Sequence, residues 1–199
     1  SQYDQAMAEC RAIFVGKMQD YGASWRIFRP ASITDQLFIK ANRIRSLEEK
    51  GISKVGEGIY PEYNGLVNYS IMEIIQLENG HADEPDLNLD RAIAWYDKYA
   101  AEAKSLMERK NHDYGEAWRD MRVKSLTDLI LVKILRIKEM EDNQGRSELS
   151  EGIDANLYDM INYSIFALIK LGETKTTDWH CQFRPKLSFV SQTHHKWNW

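Results

Sequence analysis

The chain has 199 residues, of which 43% are hydrophobic and 28% are charged, and its formal net charge is -4 at pH 7. This composition is typical of a globular protein long enough to bury a core. The negative charge argues against a broad nucleic-acid-binding surface, and no apolar run approaches the roughly 18 residues of a membrane span. Cys10 and Cys181 lie far apart without zinc-ligand spacing. The first ten residues contain no signal-peptide core, so we expect a cytoplasmic protein that contacts neither membranes nor nucleic acid directly.

One segment of the sequence occurs twice. DYGASWRIFRPASITDQLFIKANRIRSLEE at residues 20–49 returns as DYGEAWRDMRVKSLTDLILVKILRIKEMED at residues 113–142, an offset of 93 positions. After one inserted residue, NYSI at 68–71 returns at 162–165. Two such long copies are too few for a solenoid, so the pattern predicts a tandem duplication. The predicted divisions are a first unit at 1–80, a linker at 81–90, a second unit at 91–173 and an irregular tail at 174–199.

Each unit is predicted to contain three helices. Gly22 and Gly115 follow the first helix and are predicted to be left-handed C-terminal caps. The second helix begins at Ser32 or Ser125, where SITD and SLTD have the form of a capping box. No segment alternates strictly between apolar and polar residues, so we predict an all-α fold, a pseudo-two-fold bundle of two three-helix units. The remaining predicted ranges are 2–19 and 62–78 in the first unit, and 91–111 and 155–172 in the second.

The linker and the tail interrupt this pattern. NGHADEPDLN at residues 79–88 is polar and contains Gly80 and Pro85, and Asp90 is expected to cap the helix that follows. The tail has no counterpart in the first unit, and we expect it to be poorly ordered. The alternative is that it binds a metal ion through Cys181, His194 and His195.

The second helix of the second unit carries an unusual pattern. SLTDLILVKILRIK at residues 125–138 is apolar almost all the way round, which predicts a helix in the middle of the core. Lys133 and Arg136 interrupt it three residues apart, so they lie on one side of the helix. Lysine and arginine are rarely buried unless paired. They therefore either contact acids on a neighbouring helix or line a pocket for an anionic ligand.

The third helix of the second unit supplies complementary groups. Asn156, Asp159 and Asn162 are spaced by three residues and form one polar stripe. We expect this stripe to face Lys133 and Arg136. One interpretation is a buried ion-pair network that sets the register of the helices. The other is a phosphate pocket, in which the two cations hold phosphate oxygens and Asp159 helps to bind Mg²⁺.

The first unit keeps the cations but changes the acids. At the matching positions it has Lys40, Arg43 and Asn68. However, Gly65 stands where Asp159 stands, and Glu62 stands where Asn156 stands. The copies have therefore diverged at the candidate metal position, which favours either two unequal sites or one composite site that draws on both units.

A tryptophan follows the glycine of each DYG segment. Trp25 and Trp118 are expected either to plug the core or to stack on a nucleotide base, an interaction of ~1–3 kcal/mol. Asp35 and Asp128 are interpreted as helix-capping residues. The sequence contains no Walker A, GxGxxG, GxSxG or HExxH motif, which excludes the common nucleotide-binding folds and hydrolases.

The motifs DYGxxW and TDxxxxKxxRI, each present twice, and DxxNY resemble the nucleotide modification associated domain 1 family, formerly a domain of unknown function. The likeness covers most of residues 1–173 and omits the tail. It implies a context in the handling or synthesis of modified nucleotides. A more distant resemblance is to the MazG-like all-α nucleoside triphosphate pyrophosphatases. That resemblance implies a MazG-like, dimeric or internally duplicated helical fold, Mg²⁺ dependence, and EExxE and ExxD motifs, of which only half of ExxD is kept in each copy.

The first hypothesis is a nucleotide-binding helical protein that acts as a Mg²⁺-dependent (deoxy)nucleoside triphosphate pyrophosphatase, and whether it is an enzyme stays open. The catalytic candidates are Lys133, Arg136 and Asp159, and the metal candidates are Asp159 and Glu62. The nucleotide-binding candidates are Lys40, Arg43, Asn68, Asn162, Tyr163, Trp25 and Trp118. The alternatives are a non-catalytic module that binds a modified nucleotide, and a structural or assembly module with Lys133 bound to Asp159 in a closed core. A homodimer is a further expectation.

Overall fold

The computed structural model describes the backbone of residues 1–51, 58–143 and 152–181, and the side chains of those residues up to 173. Every regular element in these residues is a helix, and none within them is long and apolar enough to cross a membrane. Short 3₁₀ helices at Ser24–Ile27 and Ala117–Asp120 precede the second helix of each unit. The α-helices are α1 Gln2–Tyr21, α2 Pro30–Lys50, α3 Tyr60–Asn79, α4 Leu89–Tyr114, α5 Val123–Asp142 and α6 Ile153–Cys181.

The helix order confirms the all-α duplication but corrects the starts of the second helices. Both α2 and α5 begin two residues earlier than predicted, and neither has a side-chain cap. The N–H groups of Ser32 and Ser125 already donate to the carbonyl oxygens of Arg29 and Arg122, at 2.9 and 3.0 Å. The predicted capping boxes, including the capping roles of Asp35 and Asp128, are therefore wrong. In α2 the fixed φ of Pro30 suits the first helical position.

The ends of the first helices and the start of α4 both correct the predicted caps. Gly22 and Gly115 adopt positive φ values of 64° and 65°, which L-residues with a side chain rarely adopt, but their ψ values of -157° and -166° lie outside the left-handed helical region that was predicted. The cap of α4 is Asn88, whose side-chain oxygen accepts a hydrogen bond from the N–H of Arg91 at 2.9 Å. Asp90, the predicted cap, lies inside the first turn because α4 begins at Leu89.

The third helices, α3 and α6, form the centre of the bundle. They pack on each other, α2 and α5 pack on one another and on the third helices, and α1 and α4 each contact both α3 and α6. A continuous run of α3, residues 66–76, is buried on every side, as expected only for a helix surrounded by other helices. Many of its side chains are apolar, but Glu73 and Gln76 are buried with them.

The prediction that residues 125–138 lie in the middle of the core is wrong. In α5, Val132 and Leu135 are 52% and 56% exposed. The opposite face of the helix is buried, through Ile130, Ile134 and Ile137 among others. The sequence pattern was misleading because apolar residues cover both faces of α5, while among the described helices only α2 and α6 pack closely against it.

The first helix of each unit is hydrogen-bonded to the third helix of the other unit. Tyr3 of α1 donates to the side-chain oxygen of Asn162 at 2.8 Å, and Asn162 donates to the carbonyl oxygen of Ala103 at 3.1 Å. The matching bonds join Tyr96 to Asn68 at 2.8 Å, and Asn68 to the carbonyl oxygen of Cys10 at 3.0 Å. The two units therefore complete each other rather than pack as separate bundles.

The linker is anchored to the first unit, and the last helix is longer than predicted. The linker is held by Arg26, whose guanidinium contacts Asp86 at 2.9 Å and the carbonyl oxygen of Gly80 at 2.7 Å. α6 continues to Cys181, eight residues past the end of the predicted second unit. The prediction of an irregular tail at 174–199 is therefore wrong for residues 174–181, and the rest of that tail, with His194 and His195, lies outside the described residues.

Candidate functional site

Two lysines converge on Asp159 in the second unit. Nζ of Lys133, on α5, lies 2.8 Å from Asp159 Oδ2, and Lys110, near the end of α4, contacts Asp159 Oδ1. The side chains of Asp159 and Lys133 are nearly buried, whereas that of Lys110 is 45% exposed. The predicted cation and acid stripes therefore do face each other at this point. Lys110 was missed in the sequence, although the repeat pairs it with Lys17 at the same offset of 93.

The first unit builds a similar cluster with the acid moved by one helical turn. Glu62 accepts from Lys40 at 3.4 Å and from Arg43 at 2.8 Å. A Cβ atom at Gly65 would lie 2.8 Å from Cδ and Cε of Lys40, so the absence of a side chain there lets Lys40 cross to Glu62. Burial lowers the pKa of Lys17, and the positive charge of Lys40 lowers it further. The same cations are thus arranged around a different acid.

Arg136 does not join the cluster around Asp159. Its side chain is exposed, and it forms no ion pair with the residues that the structure describes. Three residues along a helix correspond to a rotation of about 300°, which leaves about 60° between Lys133 and Arg136. That difference is enough to place Lys133 toward α6 and Arg136 toward solvent.

A cleft of about 140 Å³ lies beside Asp159 in the second unit, and we call it the inner cleft. A larger groove of about 330 Å³, the outer groove, adjoins it. The two share the side chains of Met107, Asn111, Trp118 and Phe166. The rest of the inner cleft is lined by Lys110, Tyr114, Gly115, Ala117, Asp159, Asn162 and Tyr163.

The two tryptophans have different surroundings. Trp25 is fully buried, and its indole N–H donates to the sulfur of Met18 at 3.2 Å, so it plugs the core of the first unit. Trp118 stacks on Phe166 at 4.3 Å between ring centroids, and the guanidinium of Arg119 lies 4.3 Å from its ring centroid. Its buried indole N–H has no acceptor in the described part of the chain. Trp118 therefore borders the cleft without an open ring face.

The remaining candidates divide between the fold and the cleft. Both ends of the Asn68 and Asn162 side chains are hydrogen-bonded to first helices, as described above, and Asn162 also lines the inner cleft. Tyr163 is half-buried and lines the same cleft. Its counterpart Tyr69 lies beneath Lys40, whose Nζ is 5.5 Å from the ring centroid. The structure thus brings Lys133, Asp159, Asn162, Tyr163 and Trp118 together, and leaves Trp25 and Arg136 apart from them.

The segments that carry these side chains match a known family. Residues 17–77 and 110–171, more than half of the chain, match nucleotide modification associated domain 1. The chain belongs to the nucleotide modification associated domain 1 family. Both matched segments begin at the first lysine of a cluster, Lys17 or Lys110, and end within the third helix. No curated protein and no solved structure matches this family member, so its distant resemblance to MazG-like pyrophosphatases stays a prediction.

The carboxylates predicted to bind Mg²⁺ in this nucleotide modification associated domain 1 protein are engaged by cations. Asp159 contacts two lysines, and Glu62 contacts a lysine and an arginine. Across residues 1–51, 58–143 and 152–173, no three His, Cys, Asp or Glu side chains are grouped to hold a metal ion. Mg²⁺ prefers several oxygen ligands in octahedral geometry. The described residues offer no such set, and Mg²⁺ binding stays a prediction.

Proposed function

We propose that this protein binds a nucleotide in the inner cleft of the second unit. The observation that carries the proposal is the difference between matching positions of the two units. In the first unit, Phe14, Met18 and Met72 are buried, and the first two contact Trp25. In the second unit, Met107, Asn111 and Phe166 stand at those positions and line a cleft with Trp118. The duplication therefore gives one filled core and one recess beside charged groups.

The cation that lines the inner cleft, Lys110, suits a phosphate group. Lys110 is within reach of a ligand because nearly half of its side chain is exposed. Asp159 contacts both Lys110, which lines the cleft, and Lys133, which lies behind it, so the charge of Lys110 is positioned before a ligand arrives. Preorganised cations contribute more to binding than mobile ones because less side-chain entropy is lost on binding. A lysine ammonium group is a common phosphate ligand and acts as a point charge.

The aromatic groups suit a nucleoside. Tyr114 lines the cleft and is 78% exposed, so its ring is available for stacking on a base. The inner cleft, at about 140 Å³, is smaller than the ~300–1,000 Å³ of typical small-molecule sites, so a bound nucleotide would extend into the adjoining outer groove of about 330 Å³.

Binding measurements with matched variants test the proposal. We expect a panel of nucleotides with unmodified and modified bases to give at least one binder by isothermal titration calorimetry. Lys110→Ala should weaken that binding by roughly tenfold or more, the loss of one charge-assisted hydrogen bond. Lys17→Ala, at the matching position of the first unit, should change it less than about twofold. No binder in the panel, or equal loss in both variants, contradicts the proposal.

Catalysis is a separate prediction with its own test. Pyrophosphate release from the bound nucleoside triphosphate in the presence of Mg²⁺ would support the pyrophosphatase hypothesis, provided that Asp159→Asn abolishes it. Binding without release leaves a non-catalytic nucleotide-binding module. Release that is unchanged in Asp159→Asn would contradict the role predicted for this carboxylate.

A structural or assembly module is the second candidate function. The salt bridge between Lys133 and Asp159 favours it, because this contact is the one predicted from the sequence for a structural module. The use of Asn68 and Asn162 by the fold favours it too. This candidate predicts that neither Lys110→Ala nor Tyr114→Ala has a ligand-dependent phenotype.

A further inference from the structure

The outer surface of α5 carries an apolar face with charges at its two ends. Val132 and Leu135 are more than half exposed, and Leu129 beside them is partly exposed. Asp128 and Arg136 flank these side chains and are both exposed. We call these five residues the α5 face. A cluster of exposed aliphatic side chains bordered by charges is typical of a protein interface.

The α5 face is symmetric about Val132. Asp128, Val132 and Arg136 are spaced by four residues, so they form one of the ridges along which helices pack. If two copies of this ridge cross in antiparallel directions at Val132, Asp128 of each copy meets Arg136 of the other. Leu129 and Leu135 are also equally spaced about Val132 and flank the crossing. An isologous two-fold interface requires this kind of self-complementary surface.

The charges of the α5 face are weakly engaged within the chain. Arg136 forms no ion pair with the described residues, and Asp128 has a distant one, 3.8 Å from the exposed Arg45. The matching ridge of α2, made by Asp35, Ile39 and Arg43, differs in this respect. Asp35 accepts from Lys138 at 2.6 Å, and Arg43 binds Glu62 at 2.8 Å.

The residues that flank the two ridges also differ. Gln36 and Asn42 stand in α2 where Leu129 and Leu135 stand in α5. Only the second unit therefore combines an apolar flank with charges that are open to a partner.

We infer that two copies of this chain associate through α5, with Val132 on the two-fold axis and Asp128 of each copy paired with Arg136 of the other. The helices cross at about -50°, the angle at which ridges of this spacing align. One helix crossing is expected to bury less surface than a standard interface of about 1,600 Å², so we expect weak, concentration-dependent association.

Sedimentation equilibrium over a range of micromolar concentrations tests the inference. Wild-type protein should shift from monomer to dimer as its concentration rises. Val132→Glu should raise the dissociation constant at least tenfold, because it places two carboxylates against each other on the axis. Ile39→Glu, at the matching exposed position of α2, should leave it within about twofold. A wild type that stays monomeric, or equal effects of the two variants, overturns the inference.

A charge exchange gives an independent readout. Asp128→Arg and Arg136→Asp should each weaken the dimer, because each puts like charges across the crossing in two places. The variant with both changes should recover most of the wild-type affinity. All of these residues are exposed, so the variants should keep the wild-type circular dichroism and melting temperature. Absence of recovery in the double variant contradicts the pairing of Asp128 with Arg136.

Discussion

The two units share a chain pattern but use it differently. In the first unit, Trp25 is sealed in the core, and Arg26 ties the linker down through Asp86 and Gly80. In the second unit, Trp118 borders two recesses, and Arg119 at the position of Arg26 is partly exposed. The two units therefore share one helical scaffold. The first unit has a filled core around its tryptophan, and the second has open space beside its cations.

The largest expected effect comes from the tryptophans themselves. Trp25→Ala should lower the free energy of unfolding by about 3–5 kcal/mol, because it leaves a cavity in a fully buried site. Trp118→Ala should cost less, about 1–3 kcal/mol, because the removed ring already borders open space. Urea denaturation of both variants measures the two values. Equal losses would remove the distinction between a filled and an open unit.

The acids of the two clusters provide the second comparison. Asp159→Ala should cost about 3 kcal/mol, because the nearly buried Lys133 loses its carboxylate at 2.8 Å. Glu62→Ala should cost about 1–2 kcal/mol, since Lys40 and Arg43 are more exposed and regain hydration. Thermal melting monitored by circular dichroism at neutral pH checks the order. A larger loss for Glu62→Ala would show that the first cluster is the more tightly coupled.

Glu73 is a buried glutamate with no counterpart in the second unit, and it predicts a pH dependence of the free energy of unfolding. The hydroxyl of Thr34 lies 3.0 Å from Glu73 Oε1 and 2.8 Å from Glu141 Oε1. One hydroxyl proton serves a single carboxylate, so the second contact requires a proton on a carboxyl group. Burial raises the pKa of Glu73 well above its usual range, and the charge of Glu141 raises it further. In the second unit, Ala167 stands at the position of Glu73, and Thr127 stands at the position of Thr34. The hydroxyl of Thr127 lies 2.6 Å from that of Tyr63 and 2.8 Å from Glu48 Oε1.

The sign of this dependence follows from the raised pKa. The stabilisation from protonated Glu73 is complete below the unfolded-state pKa and is lost as the pH rises through the folded-state pKa. Glu73→Gln should therefore reduce the fall in the free energy of unfolding that occurs as the pH rises above the usual pKa of a glutamate. Urea titrations at several pH values measure this, with the exposed Glu49→Gln as a control. Parallel pH profiles for wild type and Glu73→Gln would refute it.

The smallest expected effect is at Gly65, where the units differ by one side chain. In Gly65→Ala the new Cβ would displace the end of Lys40, which is flexible. This cost is offset by the better helix propensity of alanine, about 1 kcal/mol. The net change in the free energy of unfolding should be below about 1 kcal/mol. A loss above roughly 2 kcal/mol would show that the position of Lys40 is essential to the first unit.

Much of the fold could be predicted, because helix periodicity and repeated motifs are local properties. The facing of Lys133 and Asp159 was also predictable, since each lies at a regular spacing within its helix. The solvent exposure of Arg136 was not, because a rotation of about 60° along one helix decides it. The position of Lys110 was not predicted, because it lies on α4 and not on α5 or α6, which carry the predicted cations and acid. Its match with Lys17 at the offset of 93 is nevertheless present in the sequence.

The sequence alone determined the helices, the duplication and the family, because these depend on spacings within one segment or on a constant offset between two. The tertiary structure decided which copy is open, which helix is central and where each cation points. Those outcomes depend on contacts such as Tyr3 with Asn162 and Thr34 with Glu141, between residues that lie more than 100 positions apart. A pattern within one helix carries no information about such distant partners, so only the packed chain could settle them.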